Sequence, residues 1–198
     1  MNTMTIPPLR LAAVAVTSEL RADGSRILRS PVALAPHARL VGGWLTRWAE
    51  QAPQRSFLVE RRDGQWHHLH CAAAAEQVPH IAAGLLRRGL NANKPLMILS
   101  DNSLEHALLA LAAMHVGIPV APISPAYSLL SQDHAKLLQI TDLLQPGAVY
   151  ASSPQRFAKA LQAIGHESLI FSELLAEPVS AAVEVAHATV QPETIAKI

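Results

Sequence analysis

The sequence predicts an α/β fold, and three features carry that prediction. From about residue 94 to 171, apolar runs of strand length alternate with longer helical stretches, the signature of βαβ units around a parallel sheet. Before that region, two Asp-Gly dipeptides (Asp23-Gly24 and Asp63-Gly64) sit between strand-like runs, as β-hairpins require. Half of the residues are hydrophobic and 16% are charged, enough apolar surface for a sizeable core.

Taken in order, Ala13–Leu20 and Ile27–Leu34 pair about the first turn, and residues 1–40 form a hairpin extension ended by Pro31 and Pro36. A short helix spans Gly42–Gln51, with Leu40, Trp44 and Trp48 four apart on one face and Pro53 closing it. Ser56–Glu60 and Gln65–His70 make the second hairpin. A helix over Cys71–Arg88 follows, with Val78, Ile81 and Leu85 on one side and Gly89 as its stop. Pro79 removes a hydrogen bond there, so a kink or a fresh helix near it is expected. The α/β run comprises strand Leu96–Leu99, helix Ser103–Val116, strand Ile118–Ala121, helix Gln132–Leu144, strand Ala148–Ala151, helix Ser153–Ile164 and strand Ser168–Phe171. Ser103 and Ser153 are the N-caps, with Pro154 in the first turn of the last helix. Residues 176–198, rich in Ala, Val and Pro at first, read as a connector.

Composition narrows the function. A net charge of +1 with no Lys/Arg cluster argues against a nucleic-acid or membrane-surface partner. Met1–Leu9 carries no positive charge and Leu11–Val16 is short for a signal peptide. The apolar stretch Leu104–Ala126 is interrupted by Glu105, His106, His115 and three prolines, so a helix, turn and strand are expected there rather than a span of about 20 residues. A single cysteine, Cys71, excludes an internal disulfide and suits the cytoplasm.

Several chemistries are absent by inspection. No Gly-x-x-x-x-Gly-Lys, Gly-x-Gly-x-x-Gly or Gly-x-Ser-x-Gly occurs. Ser100-Asp101-Asn102 spells a β-lactamase motif, but no Ser-x-x-Lys supplies a nucleophile. His68 and His70 share a strand face while His67 points away, which leaves two ligands where zinc takes three or four. His106 and His115, on an apolar helix, read as packing histidines. Cys71 lacks a base that would activate it. In Asn102–Leu138, a helix, glycine stop and buried strand lead to a loop where Pro122 and Pro125 hold Tyr127 and Ser128 at the strand's carboxyl end. Ligands of open α/β sheets gather at such ends, and Tyr127 as a simple packing residue is equally open.

Three segments carry a family resemblance: ILRSPVAL (27–34), GGWLTRWAEQAPQRSFLVERRDGQW (42–66) and ILSDNSLEHALLALAAMHVGIPVAPISPAYSLLSQDHAKL (98–137). The sequence resembles the adenylate-forming (AMP-binding) acyl- and aryl-CoA synthetases, the feruloyl-CoA synthase branch in particular, from about residue 15 onward. The resemblance implies the amino-terminal portion of an AMP-binding domain in an ATP-dependent carboxylic acid–CoA ligase. In such enzymes the carboxylate attacks the α-phosphate of ATP, pyrophosphate leaves, and coenzyme A then displaces AMP. ATP, Mg²⁺ and CoA are thus the implied cofactors of the intact enzyme, and a small aromatic acid the implied partner. His70-Cys71 stands where the family usually has a tyrosine or a threonine–tyrosine pair, and Pro79 interrupts a family helix.

In the family, a segment like Pro192–Ile198 leads into a Ser/Thr/Gly-rich loop and lysine that cradle the phosphates, and the adenine and ribose contacts and the mobile carboxyl-terminal domain follow. The resemblance therefore implies a chain that stops before that loop, has no catalytic residue, binds none of these cofactors tightly and self-associates through uncovered apolar surface. Asn102, Ser103, His106 and Tyr127 are the candidates to approach substrate or coenzyme. A non-catalytic α/β binding module derived from the same family is the alternative.

Overall fold

A computed structural model describes residues 13–33 and 35–198. Met1–Leu9, the start of Leu11–Val16, and Leu34 fall outside the described residues. The chain divides into residues 1–37 and residues 38–198.

In the first unit, β1 (Thr17–Leu20) and β2 (Arg26–Arg29) pair antiparallel, from Thr17 opposite Arg29 to Leu20 opposite Arg26. The strands are shorter than the sequence suggests, and none of the described residues of this unit is buried. The turn is local chemistry: Asp23 Oδ1 accepts from the Ser25 amide at 2.9 Å and hydroxyl at 2.7 Å, and Gly24 takes a φ of +82°.

The second unit begins with α1 (Gly43–Gln51). Its buried residue is Leu45, which corrects the face expected from Leu40, Trp44 and Trp48. Trp44 and Trp48 are 53% and 38% exposed, with the guanidinium groups of Arg47 and Arg55 at 5.8 and 4.8 Å from their rings. Next, β3 (Ser56–Arg62) and β4 (Gln65–His70) form the second hairpin. Asp63 and Gly64 both have positive φ, the geometry of a type I′ turn. α2 (Cys71–Arg87) runs through Pro79 as one helix, so no fresh helix begins there. Burial of Val78, Ile81, Ala82 and Leu85 offsets the lost hydrogen bond, about 3 kcal/mol.

The core is a three-stranded parallel sheet in the order β6-β5-β7: Val120–Ile123, Leu96–Leu99 and Ala148–Ala151. α3 (Leu104–His115) joins β5 to β6, while α4 (Pro125–Leu129) and α5 (Ala135–Leu144) lead to β7. The two crossovers travel in opposite directions and lay their main helices on opposite faces, as a constant hand requires. Ile98 and Leu96 pack toward α2 and α3, Met97 and Leu99 toward α5 and α6 (Ala158–Ile164).

Four expectations differ. β6 lies two residues later than Ile118–Ala121 and includes Pro122. The Val120 amide points outward, to Ala196 O at 3.1 Å, so the nitrogen of Pro122 two residues on also faces away from β5 and no ladder bond is lost. Pro125, expected in a loop, instead opens α4 at its first position. The helices expected from Gln132 and Ser153 start at Ala135 and Ala158. His134 takes a left-handed φ of 52° before the first, and Ser153 Oγ caps only a turn before the second. Ser168–Phe171 is not a strand: Ser168 makes one bridge to Val149, its hydroxyl accepts from the Ala151 amide at 2.9 Å, and Phe171 opens α7 (Phe171–Leu175).

The connector reading also fails, because α8 (Ala181–Thr189) folds within it. His187 of α8 stacks on His115 with ring centroids 4.0 Å apart, and its Nδ1 donates to His115 O at 2.9 Å. Burial first, then His187 and Arg39, lower the His115 pKa to about 4. An unfolded His115 takes up its proton near the ordinary value of 6.5 and the folded one does not until about 4. Stability is therefore expected to be full above about pH 6.5 and to decline through that window, by about 1–2 kcal/mol after solvent screening. Urea midpoints that fall equally in wild type and His115→Asn between pH 7 and 4.5 would contradict this. No helix among the described residues is long and apolar enough to cross a membrane.

Candidate functional site

The strand order reverses at β5, whose chain neighbour β6 lies on one side and β7 on the other. The crevice between the carboxyl ends of β5 and β7 is the switch point where ligands of open α/β sheets bind. The loops there are Ser100–Ser103 and Ser152–Pro154, tied by a bond from the Ser152 amide to Leu99 O at 3.2 Å. Arg156 forms an ion pair with Asp101 across the crevice.

Beside the crevice is a hollow of about 610 Å³ between β3 and the start of α3. Leu58, Leu104, Ala107 and Ala110 supply apolar lining, while Glu60, Arg61, Asn102, Ser103 and His106 supply polar groups. This size and mixture suit a small-molecule site. Asn102, Ser103 and His106 are thus brought together. Tyr127 is not among the lining residues; it lies on α4, 37% exposed.

Helix physics assigns much of this chemistry. Ser103 Oγ accepts from the His106 amide at 3.1 Å and Glu60 Oε2 from the Leu104 amide at 3.4 Å, so side chains of this unit already cap α3. Arg62 Nη2 donates to the same Glu60 oxygen at 3.0 Å. His106 Nδ1 lies 3.4 Å from Asp101 O, an acceptor, which makes Nδ1 the donor and leaves Nε2 with a lone pair. Among the described residues Asn102 and His106 Nε2 have no side-chain hydrogen-bond partner, and the Arg61 guanidinium lies 5.8 Å from the centre of the Trp66 ring.

Tyr150, 2% exposed on β7, donates its hydroxyl to Glu105 of α3. Burial and then this bond raise its pKa well above the usual phenol range, so it stays a donor through neutral pH. Tyr150→Phe strands the Glu105 carboxylate and is expected to lower stability by about 1–3 kcal/mol. An unchanged urea midpoint would show that the bond contributes nothing.

Sequence reasoning missed Glu60, Asp101, Glu105, Tyr150 and Arg156. Each acts through a partner far along the chain, so no spacing announces it. His68 Nδ1 lies 2.9 Å from Ser56 Oγ, and the rings of His68 and His70 are 6.5 Å apart. Among the described residues no group of three His, Cys, Asp or Glu side chains is placed to hold a metal ion. Cys71 is buried.

Comparison with known proteins gives one consistent result. Residues 45–139 match the family model described as AMP-binding enzyme. The chain is 32% identical over 77 residues to luciferin 4-monooxygenase of Photinus pyralis, covering 39% of this chain and 13% of that protein. It is 28% identical over 130 residues to a mitochondrial medium-chain acyl-CoA ligase of Bos taurus, covering 66% of this chain and 21% of that one. It therefore spans about a fifth or less of these two relatives. Among solved structures, a fatty acyl-adenylate ligase from L. pneumophila, in complex with acyl adenylate and pyrophosphate, superposes with a TM-score of 0.60 at 14% identity. That match covers 81% of this chain and 27% of the other. The hairpins, the parallel sheet and these matches agree: residues 45–139 match the AMP-binding enzyme family model, and the chain has the fold of the amino-terminal part of an adenylate-forming enzyme.

Proposed function

We propose that these residues are the amino-terminal scaffold of an ATP-dependent carboxylic acid–CoA ligase acting in the cytoplasm on a small aromatic acid of the ferulate class. The match of residues 45–139 to the AMP-binding enzyme family carries the reading. A relative named as a medium-chain acyl-CoA ligase and a structural neighbour holding acyl adenylate and pyrophosphate support acid activation through an adenylate. The likeness of SPAYSL (124–129) and SQDHAKL (131–137) to feruloyl-CoA synthases supports the aromatic acid. ATP, Mg²⁺ and CoA serve the whole enzyme. Asn102, Ser103 and His106, at the hollow beside the sheet's carboxyl ends, approach substrate or coenzyme, with Tyr127 on α4 nearby in sequence to the loop after β6.

The test extends the chain with whatever coding sequence follows Ile198 in the gene and assays thioester formation from ATP and CoA. Ferulate is expected to exceed octanoate by at least about tenfold in kcat/KM, a difference of about 1.4 kcal/mol in transition-state binding. Preference for octanoate would refute the aromatic assignment, and no thioester from either acid would refute the ligase.

A further inference from the structure

His115 ends α3 at the pole of the sheet away from the hollow, and a second polar constellation gathers there. We propose that Arg39, His115 and His187 form a binding site for a phosphate dianion, free or carried as a phosphomonoester.

Three basic side chains converge on a hollow of about 280 Å³, whose other lining residues are Leu40, Gly42, Gly43 and Thr46. None of the lining residues is acidic. Arg39 Nη1 donates to His187 O at 3.1 Å and to Val190 O, and these neutral carbonyls leave its charge uncompensated. No carboxylate among the described residues forms an ion pair with it.

The histidines are arranged to take up a proton when an anion arrives. His187 Nδ1 donates to His115 O, so in the neutral ring Nε2 holds a lone pair, 3.5 Å from Arg39 Nη2. Protonating that nitrogen alone would set N–H against N–H and cation beside cation. A dianion between the two reverses the sign of both contacts, because guanidinium and imidazolium each donate to phosphate oxygens. The His115 ring, stacked at 4.0 Å, gains the same counter-charge. The other residues lining the space around His115 are Thr46 and Leu45 of α1, Ala75, Val78 and Pro79 of α2, and Leu111 of α3, none of them ionisable. Among the described residues, His187 and Arg39 are the charged or titratable groups acting on it. Phosphate is thus expected to bind more tightly as pH falls from 8 to 6.5, and to hold α8 against α3.

Hydrogen exchange read by mass spectrometry over residues 181–189 of the full chain, at micromolar protein, tests this independently of any catalytic assignment. At pH 6.5, inorganic phosphate is expected to slow exchange about threefold relative to chloride of equal ionic strength, the protection at about twice the dissociation constant. The effect should shrink at pH 8 and vanish in Arg39→Gln. Should Arg39→Gln free α8 by itself, His115→Asn decides, since it keeps the carbonyl that accepts from His187 but removes the ring; it is expected to weaken the phosphate effect. A ribose 5-phosphate arm separates the sources: protection at lower concentration than phosphate assigns a phosphomonoester, and equal or weaker protection assigns the free ion. Equal protection by chloride, or phosphate protection undiminished in both variants, would overturn the site.

Discussion

Gly84→Val is expected to destabilise the second unit by about 3 kcal/mol, a large share of the 5–15 kcal/mol that holds a typical domain together. Gly84 sits inside α2, where glycine is ordinarily unfavourable by about 1 kcal/mol relative to alanine. Its presence has a packing cause. A Cβ at this position would stand 2.7 Å from Leu174 Cδ2 and 3.1 Å from Leu174 Cα, and Leu174 of α7 is fully buried. The side-chain atom has no room to retreat and the backbone atom belongs to a helix packed on α2. Valine adds two further methyl groups to an approach that is already too close. Alanine regains helix propensity but keeps the clash, so a loss of about 1 kcal/mol is expected for Gly84→Ala. Leu174→Ala in the valine background should recover only part of the stability, because trimming the side chain leaves the α7 backbone where it is. Urea midpoints for these variants measure the series; a valine variant as stable as wild type would show that α7 does not pack on α2 as described.

Much of the fold was legible in the sequence because its causes are local. Leu96–Leu99, Ala148–Ala151 and Gln65–His70 fall where short apolar or alternating runs meet turn residues. Ser103 announces α3 through its own hydroxyl. What was not legible depends on distant partners. α8 buries only Val183, so its sequence carries no repeating apolar stripe, and its anchors are His115 and Arg39 from far upstream. Ser168 resembles a strand start, yet its hydroxyl takes the place of a ladder. The same division holds at the site. Asn102, Ser103 and His106 lie within one turn and are legible together, whereas Glu60 reaches the site from β3 and Arg156 from beyond β7.

Adenylation is expected to be beyond these 198 residues on their own. It concentrates negative charge on phosphates, and donors preorganised around that charge supply most of the acceleration. Losing one such donor typically costs about 100- to 1,000-fold. In this chain Ser103 and Glu60 already take two of the amides at the amino terminus of α3, and Arg156 is paired with Asp101. No glycine-rich loop followed by lysine occurs in the sequence. ATP–pyrophosphate exchange by the purified 198-residue polypeptide, with Mg²⁺ and ferulate, is the direct measurement. Exchange no greater than a protein-free blank is the expected result; ferulate-dependent exchange that scales with polypeptide concentration would contradict it.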